Sequence, residues 1–231
     1  MIGAAAAVAA AGLADARTEE ERAALLEAGR LLFARPCRFF HAAQQLHGLP
    51  PAAGPEVAFC GRSNVGKSSL VNALTGQNAL ARTSRTPGRT RQLTFFDLGE
   101  GRLTLVDMPG YGYAQASKAV KEDWQGLMFE FLRGRPTLRR VLLLLDARIK
   151  TKANDRMAMR LLNDAAVAFQ IVLTKADDTK PAQLARRREE AEALARGHTA
   201  GHPLVLATSA ETGEGIPELR AEVAALALPP A

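Results

Sequence analysis

The sequence predicts an α/β domain with a mostly parallel, doubly wound sheet of about six strands flanked by helices. Two observations support this prediction. Apolar runs of strand length alternate with helix-length amphipathic segments along most of the 231 residues, which is typical of parallel sheets. A glycine-bounded turn also joins the first apolar run directly to a helix. Folds of this class bind their ligands at the carboxyl ends of the strands.

Six segments have the composition of buried or half-buried strands. The predicted strands are residues 57–60, 93–98, 103–107, 141–145, 170–173 and 203–207. The second and third are joined by the hairpin turn Gly99-Glu100-Gly101. The fourth and fifth are continuously apolar, which indicates strands that are buried on both faces.

An N-terminal extension, residues 1–54, is predicted to precede the main domain, residues 55–231. Residues 1–14 are rich in alanine and uncharged, and we expect them to be flexible or weakly helical. Thr18, three glutamates and an apolar stripe then indicate a capped helix that packs on the domain. Further helices are predicted at residues 69–74, 117–133, 153–165, 181–196 and 216–226.

The composition argues against several classes of protein. Two cysteines, Cys37 and Cys60, are too few for a disulfide framework and suggest a reducing cytosol. The four histidines lack the spacing of a catalytic zinc site. No apolar segment is long enough to cross a bilayer, so we expect a cytoplasmic protein without a membrane partner.

The charge favours an anionic partner. The formal net charge is +6 and the pI is about 9.7. Arginines cluster within residues 82–91, 133–140 and 186–188, and each cluster is either a solvated face or an RNA contact. Aromatic residues make up 5% of the chain, so contact with an RNA backbone is favoured over base stacking.

A phosphate-binding loop is the strongest motif in the chain. Residues 61–68, Gly-Arg-Ser-Asn-Val-Gly-Lys-Ser, fit the pattern G-x-x-x-x-G-K-[ST] between a strand and a helix. Two glycines let backbone N–H groups curl around an anion, and the helix N-terminus adds partial positive charge. Lys67 can reach β- and γ-phosphates, and the hydroxyl of Ser68 can bind Mg²⁺.

Three further motifs follow predicted strands. Asp107-Met108-Pro109-Gly110 has the D-x-x-G form of an element that supports Mg²⁺ and senses a γ-phosphate. Thr174-Lys175-Ala176-Asp177 has the [NT]-K-x-D form of a guanine site, and Thr208-Ser209-Ala210 can supply an N–H to guanine O6. We predict GTP over ATP, because adenine would leave the buried carboxylate unpaired, with losses of up to about 10⁴-fold.

Together these motifs resemble those of translation-factor-type GTPases. The phosphate loop, residues 81–90 (Ala-Arg-Thr-Ser-Arg-Thr-Pro-Gly-Arg-Thr), residues 107–114 (Asp-Met-Pro-Gly-Tyr-Gly-Tyr-Ala) and Thr-Lys-Ala-Asp are most similar to the EngB (YihA/YsxC) family of bacterial GTPases. The resemblance covers about residues 31 to 227. It implies a Ras-like P-loop domain with a mixed sheet, Mg²⁺-dependent GTP hydrolysis, and a role in large ribosomal subunit assembly and in cell division and septation.

The resemblance also implies which residues form the site. The GTP-binding residues would be Gly61, Arg62, Ser63, Asn64, Val65, Gly66, Lys67, Ser68, Ser69, Gly88, Arg89, Thr90, Arg91, Gln92, Asp107, Met108, Pro109, Gly110, Thr174, Lys175, Ala176, Asp177, Thr208, Ser209 and Ala210. The catalytic residues would be Lys67, Thr90, Gly110 and Asn64. Mg²⁺ would be bound by Ser68 and Thr90, and by Asp107 through water. The partners would be GTP, GDP and the rRNA and proteins of the large subunit, without DNA, and the chain would be a monomer.

Hydrolysis is the step that the motifs explain least. Ras-type enzymes orient the attacking water with a glutamine after D-x-x-G, whereas this chain has Tyr111 there. We therefore expect slow turnover that needs a partner or an ion, or, as the alternative, a nucleotide-gated RNA- or ribosome-binding module with negligible turnover. Asn64 matches the asparagine that holds K⁺ in potassium-activated relatives, or else it braces the loop. The arginines of residues 82–91 either supply an arginine finger or face solvent or RNA.

Overall fold

The structure is a computed structural model that describes residues 12–13, 16, 18–78, 80–81, 92–111 and 128–228. Most of the alanine-rich start, the basic loop of residues 82–91 and residues 117–127 of a predicted helix lie outside these ranges.

The described residues form one seven-stranded sheet. Its strands are β1 (Cys37–Ala43), β2 (Glu56–Gly61), β3 (Leu93–Leu98), β4 (Leu103–Asp107), β5 (Leu138–Asp146), β6 (Phe169–Thr174) and β7 (Leu206–Ala207). They lie in the order β1-β3-β4-β2-β5-β6-β7. The pairs β1–β3 and β3–β4 are antiparallel and the other four are parallel, so the predicted mostly parallel α/β sheet is confirmed.

Three of the five longer described helices connect successive strands, while the first precedes β1 and the last follows β7. The five helices are α1 (Glu19–Phe33), α2 (Lys67–Thr75), α3 (Ala153–Asp164), α4 (Pro181–Arg196) and α5 (Ile216–Ala224). Residues 128–134 are also helical, and short 3₁₀ turns occur at Leu46–Gly48 and Ala176–Asp178. The last predicted strand is shorter than expected, because only two residues of the segment 203–207 pair with β6.

Helix α1 begins as the sequence predicts. The Thr18 hydroxyl accepts a hydrogen bond from the Glu21 N–H at 3.1 Å, and the Thr18 N–H donates to the Glu21 carboxylate at 3.2 Å. This reciprocal pair is a capping box. The helix then packs against α5, where a Cβ at Gly29 would lie 2.6 Å from the backbone N of Ala221. Only glycine allows the two helices to come this close.

Strand β1 is the element that the sequence analysis missed. Its seven residues do not alternate between apolar and polar, and Phe39 is 57% exposed. A bulge between Phe39 and His41 shifts the register against β3, so the period-2 pattern is lost. The sheet thus includes residues that precede the boundary drawn at residue 55, and that division of the chain stays a prediction.

The two faces of the sheet bury separate clusters of apolar side chains. Ala58 and Cys60 of β2 belong to one cluster, and Val57 and Phe59 belong to the other. The residues of β5 alternate between the clusters in the same way. This confirms that the central strands are buried on both faces, and it leaves their carboxyl ends as the edge where side chains of the motifs emerge. Across the described ranges, no helix has the length and apolarity needed to span a membrane.

Candidate nucleotide-binding site

The phosphate loop lies between the last residue of β2, Gly61, and the first residue of α2, Lys67. Asn64 and Gly66 have φ angles of 65° and 102°, so the backbone turns through left-handed conformations at both positions. At Gly61, a Cβ would lie 2.8 Å from Cγ1 of Val65, which excludes any larger residue without a shift. The loop therefore has the tight curvature that lets successive N–H groups surround an anion.

Lys67 and Asp107 form an ion pair at the mouth of this loop. Asp107 is the last residue of β4, so the carboxylate comes from the strand that neighbours β2. The two side chains are 13% and 15% exposed, respectively. Ser68 is half-buried and Ser69 is exposed in the first turn of α2. One lysine and one carboxylate thus meet where two parallel strands end, and Ser68 directly follows the lysine in the chain.

The D-x-x-G segment rests directly on the phosphate loop. The Tyr111 N–H donates to the Gly61 carbonyl at 3.1 Å, and the Ser63 N–H donates to the Tyr111 carbonyl at 3.2 Å. A Cβ at Gly110 would lie 3.2 Å from both the backbone N and the hydroxyl oxygen of Ser63. Glycine at this position therefore allows the two loops to touch.

The side chain of Tyr111 takes part in a buried hydrogen bond. Its hydroxyl donates to Oδ1 of Asp155 at 3.0 Å, and the tyrosine is only 6% exposed. Burial, together with the nearby Cys60 and Asp155, raises the pKa of Tyr111 well above its usual value. Oδ2 of Asp155 accepts from the Lys152 N–H at 2.8 Å, which fixes the carboxylate at the start of α3. The phenol therefore anchors the segment after Gly110 to α3.

The Thr-Lys-Ala-Asp segment braces the phosphate loop from the other side. The Thr174 hydroxyl donates to the Val65 carbonyl at 2.6 Å. Lys175, with φ of 59°, donates through Nζ to the Asn64 carbonyl at 2.8 Å and to Oδ2 of Asp146 at 3.0 Å. The lysine thus ties the tip of the phosphate loop to the end of β5.

Asp146 holds this lysine as a carboxylate. Burial alone would raise the pKa of Asp146, but hydrogen bonds from Arg148 and Lys175 outweigh that effect and lower the pKa below its usual range. Arg148 is bound to both Asp146 and Asp178, at 2.9 and 3.1 Å. Asp146 therefore stays charged and keeps Lys175 in position at neutral pH.

The predicted guanine end of the site is assembled from two loops. The Ala176 N–H donates to the Thr208 carbonyl at 3.1 Å, and the Thr208 N–H donates to the Leu173 carbonyl at 2.7 Å. Ser209 is fully buried and its hydroxyl accepts the N–H groups of residues 211 and 212. Asp177 and Ala210 are exposed next to this scaffold, which corrects the expectation of a buried carboxylate at Asp177. The carboxylate and the N–H that would contact the base are therefore the accessible parts.

The structure brings most of the sequence-predicted site residues to one edge of the sheet. Met108 and Pro109 are buried under the D-x-x-G segment, and Gln92 is half-buried just before β3. Gly88, Arg89, Thr90 and Arg91 lie outside the described residues. The individual roles of all these residues remain predictions.

Two acidic residues of the site were not singled out from the sequence. Asp146 is the last residue of β5 just as Asp107 is the last residue of β4, and that position was the available signal. Asp155 had no such signal, because a carboxylate in the first turn of a helix usually serves its own helix.

Comparison with known proteins agrees with this geometry. Residues 56–175 match the family model described as 50S ribosome-binding GTPase. The chain is 63% identical over 207 residues to a probable GTP-binding protein EngB from Granulibacter bethesdensis, covering 90% of this chain and 92% of that protein. It is 62% identical over 206 residues to a probable EngB from Gluconobacter oxydans, covering 89% and 90% of the two chains.

Solved structures share the fold. A crystal structure of a probable GTP-binding protein EngB superposes with a TM-score of 0.57 at 22% identity, covering 73% of this chain and 96% of that one. At that identity the likeness shows the fold alone, whereas the two relatives above show the family. The chain therefore belongs to the EngB family and is a P-loop enzyme that hydrolyses GTP.

Proposed function

We propose that this GTPase is a Mg²⁺-dependent switch in the assembly of the large ribosomal subunit. The observation that supports it best is the direct contact between the D-x-x-G segment and the phosphate loop, through Tyr111, Gly61 and Ser63. A change at the terminal phosphate would reach residues beyond Gly110 through these hydrogen bonds. The family model that the chain matches is itself described as 50S ribosome-binding.

The residues present fit a Mg²⁺ ion. Ser68 offers a hydroxyl in the first turn of α2, and Asp107 offers a carboxylate at the end of β4. Oxygen donors of this kind suit a hard cation, and Thr90 would add a second hydroxyl. The bound ion would neutralise charge on the β- and γ-phosphates. Lys67 would then exchange its contact with Asp107 for contact with phosphate oxygens.

Guanine selectivity would come from Asp177 and Ala210. Asp177 would accept hydrogen bonds from guanine N1–H and N2–H₂, while the backbone N–H of Ala210 would donate to O6. Both residues are exposed beside the buried Thr208 and Ser209, so the base would bind against a rigid wall.

The attacking water would be positioned either with the help of a K⁺ ion or by a ribosomal partner. Tyr111 is bound to Asp155, so its hydroxyl is already committed, and the chain's own turnover would be slow. Asn64 would help to hold K⁺ near the phosphates; within the described residues it braces the loop through its carbonyl, which accepts from Lys175. A ribosomal partner or K⁺ would complete the catalytic arrangement.

The committed hydroxyl of Tyr111 also favours the alternative function, a nucleotide-gated ribosome-binding module with negligible turnover. Single-turnover hydrolysis with and without K⁺ and ribosomal subunits separates the two. Acceleration by K⁺ or by subunits supports the switch that hydrolyses GTP. A rate that neither addition changes from the slow intrinsic level supports the binding module.

With GTP bound, the protein would present basic residues to rRNA. It would act as a monomer in the cytoplasm, where both cysteines would stay reduced. The role in cell division and septation would be indirect, because a defect in ribosome assembly would impair both.

To test the ribosomal role, 50S subunits are pelleted with the protein in GDP, a non-hydrolysable GTP analogue or ATP, at two salt concentrations. We expect binding that depends on the GTP analogue and falls with salt. Equal pelleting with GDP and the analogue would contradict gating, and no pelleting would contradict the ribosomal role.

A further inference from the structure

A cavity of about 300 Å³ lies beside the phosphate loop. Its lining includes Arg62 of that loop, Lys150, Asp155 of α3 and Arg187 of α4. Residues 62–65 and Lys175 of the predicted GTP site also line it, so the cavity adjoins that site and extends from it to α3 and α4, which supply no predicted GTP-binding residue. Its volume equals the liquid volume of about ten water molecules, which is enough for a phosphate group with part of its hydration.

The lining of this cavity is cationic. Five lysine and arginine side chains line it, against two carboxylates. Both carboxylates already have partners, because Asp146 binds Arg148 and Lys175 while Asp155 binds Tyr111 and the Lys152 N–H. Arg148 and Arg187 also pair with carboxylates outside the lining, Asp178 and Glu190. The positive surplus of the cavity therefore comes from Arg62 and Lys150, which form no ion pair within the described residues.

Several residues that line the cavity have hydrogen-bond donors without a partner among the described residues. Nε of Arg187 is buried and has no hydrogen-bond partner among the described residues, although another nitrogen of the same group binds Glu190 at 2.7 Å. The side chains of Arg62 and Lys150 form no hydrogen bond or ion pair within those ranges. A buried donor that lacks an acceptor is costly, so an anionic oxygen at this place would be stabilised.

We propose that this cavity binds a phosphate group, supplied either as free inorganic phosphate or by an RNA backbone. A phosphate offers several oxygens to donors that converge from different elements, and guanidinium groups match it well. The RNA source rests on the proposed ribosomal function; the phosphate chemistry does not. Arg187 would supply the buried contact, and Lys150 at the exposed rim would attract the anion.

The test follows the side-chain Nε–H resonance of Arg187 by ¹⁵N NMR in the full-length protein saturated with GDP, so that the phosphate loop is filled. The resonance is identified by its loss in Arg187→Met. Inorganic phosphate is titrated at constant ionic strength against chloride. We expect a saturable shift with phosphate and none with chloride, and an affinity about tenfold weaker in Lys150→Met. Arg186→Met is the matched control, because Arg186 is exposed on the same helix and does not line the cavity.

A short single-stranded RNA is titrated in a second arm. A saturable shift with RNA as well as phosphate assigns the site to an RNA backbone, and a shift with phosphate alone assigns it to free phosphate. No saturable shift with either probe overturns the proposal. Arg187→Met must keep wild-type GDP affinity, which shows that it folds. Subunit pelleting is a separate readout, so loss of the ribosomal function would leave the phosphate arm intact, and an inert cavity would leave that function intact.

Discussion

Ion pairs lie at both ends of the parallel strands, and the pairs at the two ends differ in burial and in the type of cation. At the amino ends, Arg135 binds Glu56 through two hydrogen bonds of 2.8 and 2.6 Å, with both side chains almost fully buried. Arg140 binds the fully buried Glu222 at 2.9 Å. At the carboxyl ends, Lys67 binds Asp107 and Lys175 binds Asp146. The amino-end pairs use arginine, whereas the two carboxyl-end pairs that contact the phosphate loop use lysine, with the more exposed Arg148 as a second partner of Asp146.

Arginine and lysine suit different roles in these ion pairs. The planar guanidinium of Arg135 also donates to the Pro50 carbonyl at 2.7 Å, so its donors are occupied by the protein itself. Lysine is a point charge on a flexible stem, and its donors can turn from a carboxylate to a phosphate. The carboxyl-end pairs are also more exposed than the Arg135–Glu56 pair. We infer that amino-end pairs hold the fold, while carboxyl-end pairs position groups for the nucleotide.

Arg135→Met gives the largest expected effect on stability. Removing the guanidinium leaves Glu56 as an uncompensated buried charge, so the free energy of unfolding should fall by about 3–5 kcal/mol. Urea denaturation measures this change. The GTP affinity of the folded fraction should stay at the wild-type level. A loss below about 1 kcal/mol, within the range of exposed pairs, would contradict a structural role.

Lys67→Met should reduce GTP hydrolysis strongly and stability only slightly, which is the reverse of Arg135→Met. Loss of the ammonium that contacts the phosphates should lower the hydrolysis rate by about 10²–10³-fold, as for other groups that stabilise transition-state charge. The stability change should be far smaller than for Arg135→Met, because Asp107 remains partly exposed to water. Single-turnover hydrolysis and urea denaturation of the same preparation provide both numbers. A hydrolysis rate within threefold of wild type would remove Lys67 from the site.

Asp146→Asn tests the second lysine pair and its dependence on pH. Without the carboxylate, Lys175 loses one of its two contacts, so GDP should dissociate about tenfold faster, equivalent to about 1.4 kcal/mol. Because the pKa of Asp146 is lowered in the folded state, the stability it contributes is present above the unfolded pKa of about 3.9 and is lost as the pH falls through the folded pKa.

The stability difference between wild type and Asp146→Asn should therefore be constant at neutral pH and should shrink below about pH 4. Denaturation across a pH series measures it, alongside release of a fluorescent GDP analogue. A difference that grows in acid would mean that the pKa of Asp146 is raised rather than lowered.

Tyr111→Phe gives the smallest expected effect. The change removes one buried hydrogen bond to Asp155, so stability should fall by about 1 kcal/mol. Since the phenol is committed to α3, the intrinsic hydrolysis rate should change by less than about threefold, equivalent to about 0.7 kcal/mol. Thermal unfolding and single-turnover hydrolysis provide the two readouts. A hundredfold loss of hydrolysis at unchanged stability would instead make Tyr111 a catalytic residue.

The fold and the position of the site could be predicted because their signals are local. The phosphate loop needs its glycines and lysine in one short stretch, and the central strands are apolar because both faces are covered. The capping box of α1 likewise needs only Thr18 and Glu21. These patterns are properties of neighbouring residues, so the sequence alone shows them.

The missed features depend on contacts between distant residues. Strand β1 exposes Phe39 and Phe40 and contains a bulge, so its composition does not resemble a half-buried strand. The hydrogen bond from Tyr111 to Asp155 joins residues that are 44 positions apart, and neither residue type predicts the other as its partner. The buried pair of Arg135 and Glu56 is 79 positions apart. Such pairings form when distant segments come together in the folded domain, so no local sequence pattern predicts them.

The measurement that tests the central claim most directly is hydrolysis of GTP, ATP and xanthosine triphosphate by the wild-type chain and by Asp177→Asn. If the carboxyl ends of the strands form a guanine-nucleotide site, the wild type hydrolyses GTP and discriminates strongly against ATP. Asp177→Asn should then weaken GTP binding and favour xanthosine triphosphate, because an amide can donate to the xanthine oxygen that replaces the guanine amino group. Unchanged GTP affinity in Asp177→Asn, or equal use of ATP by the wild type, would contradict this account.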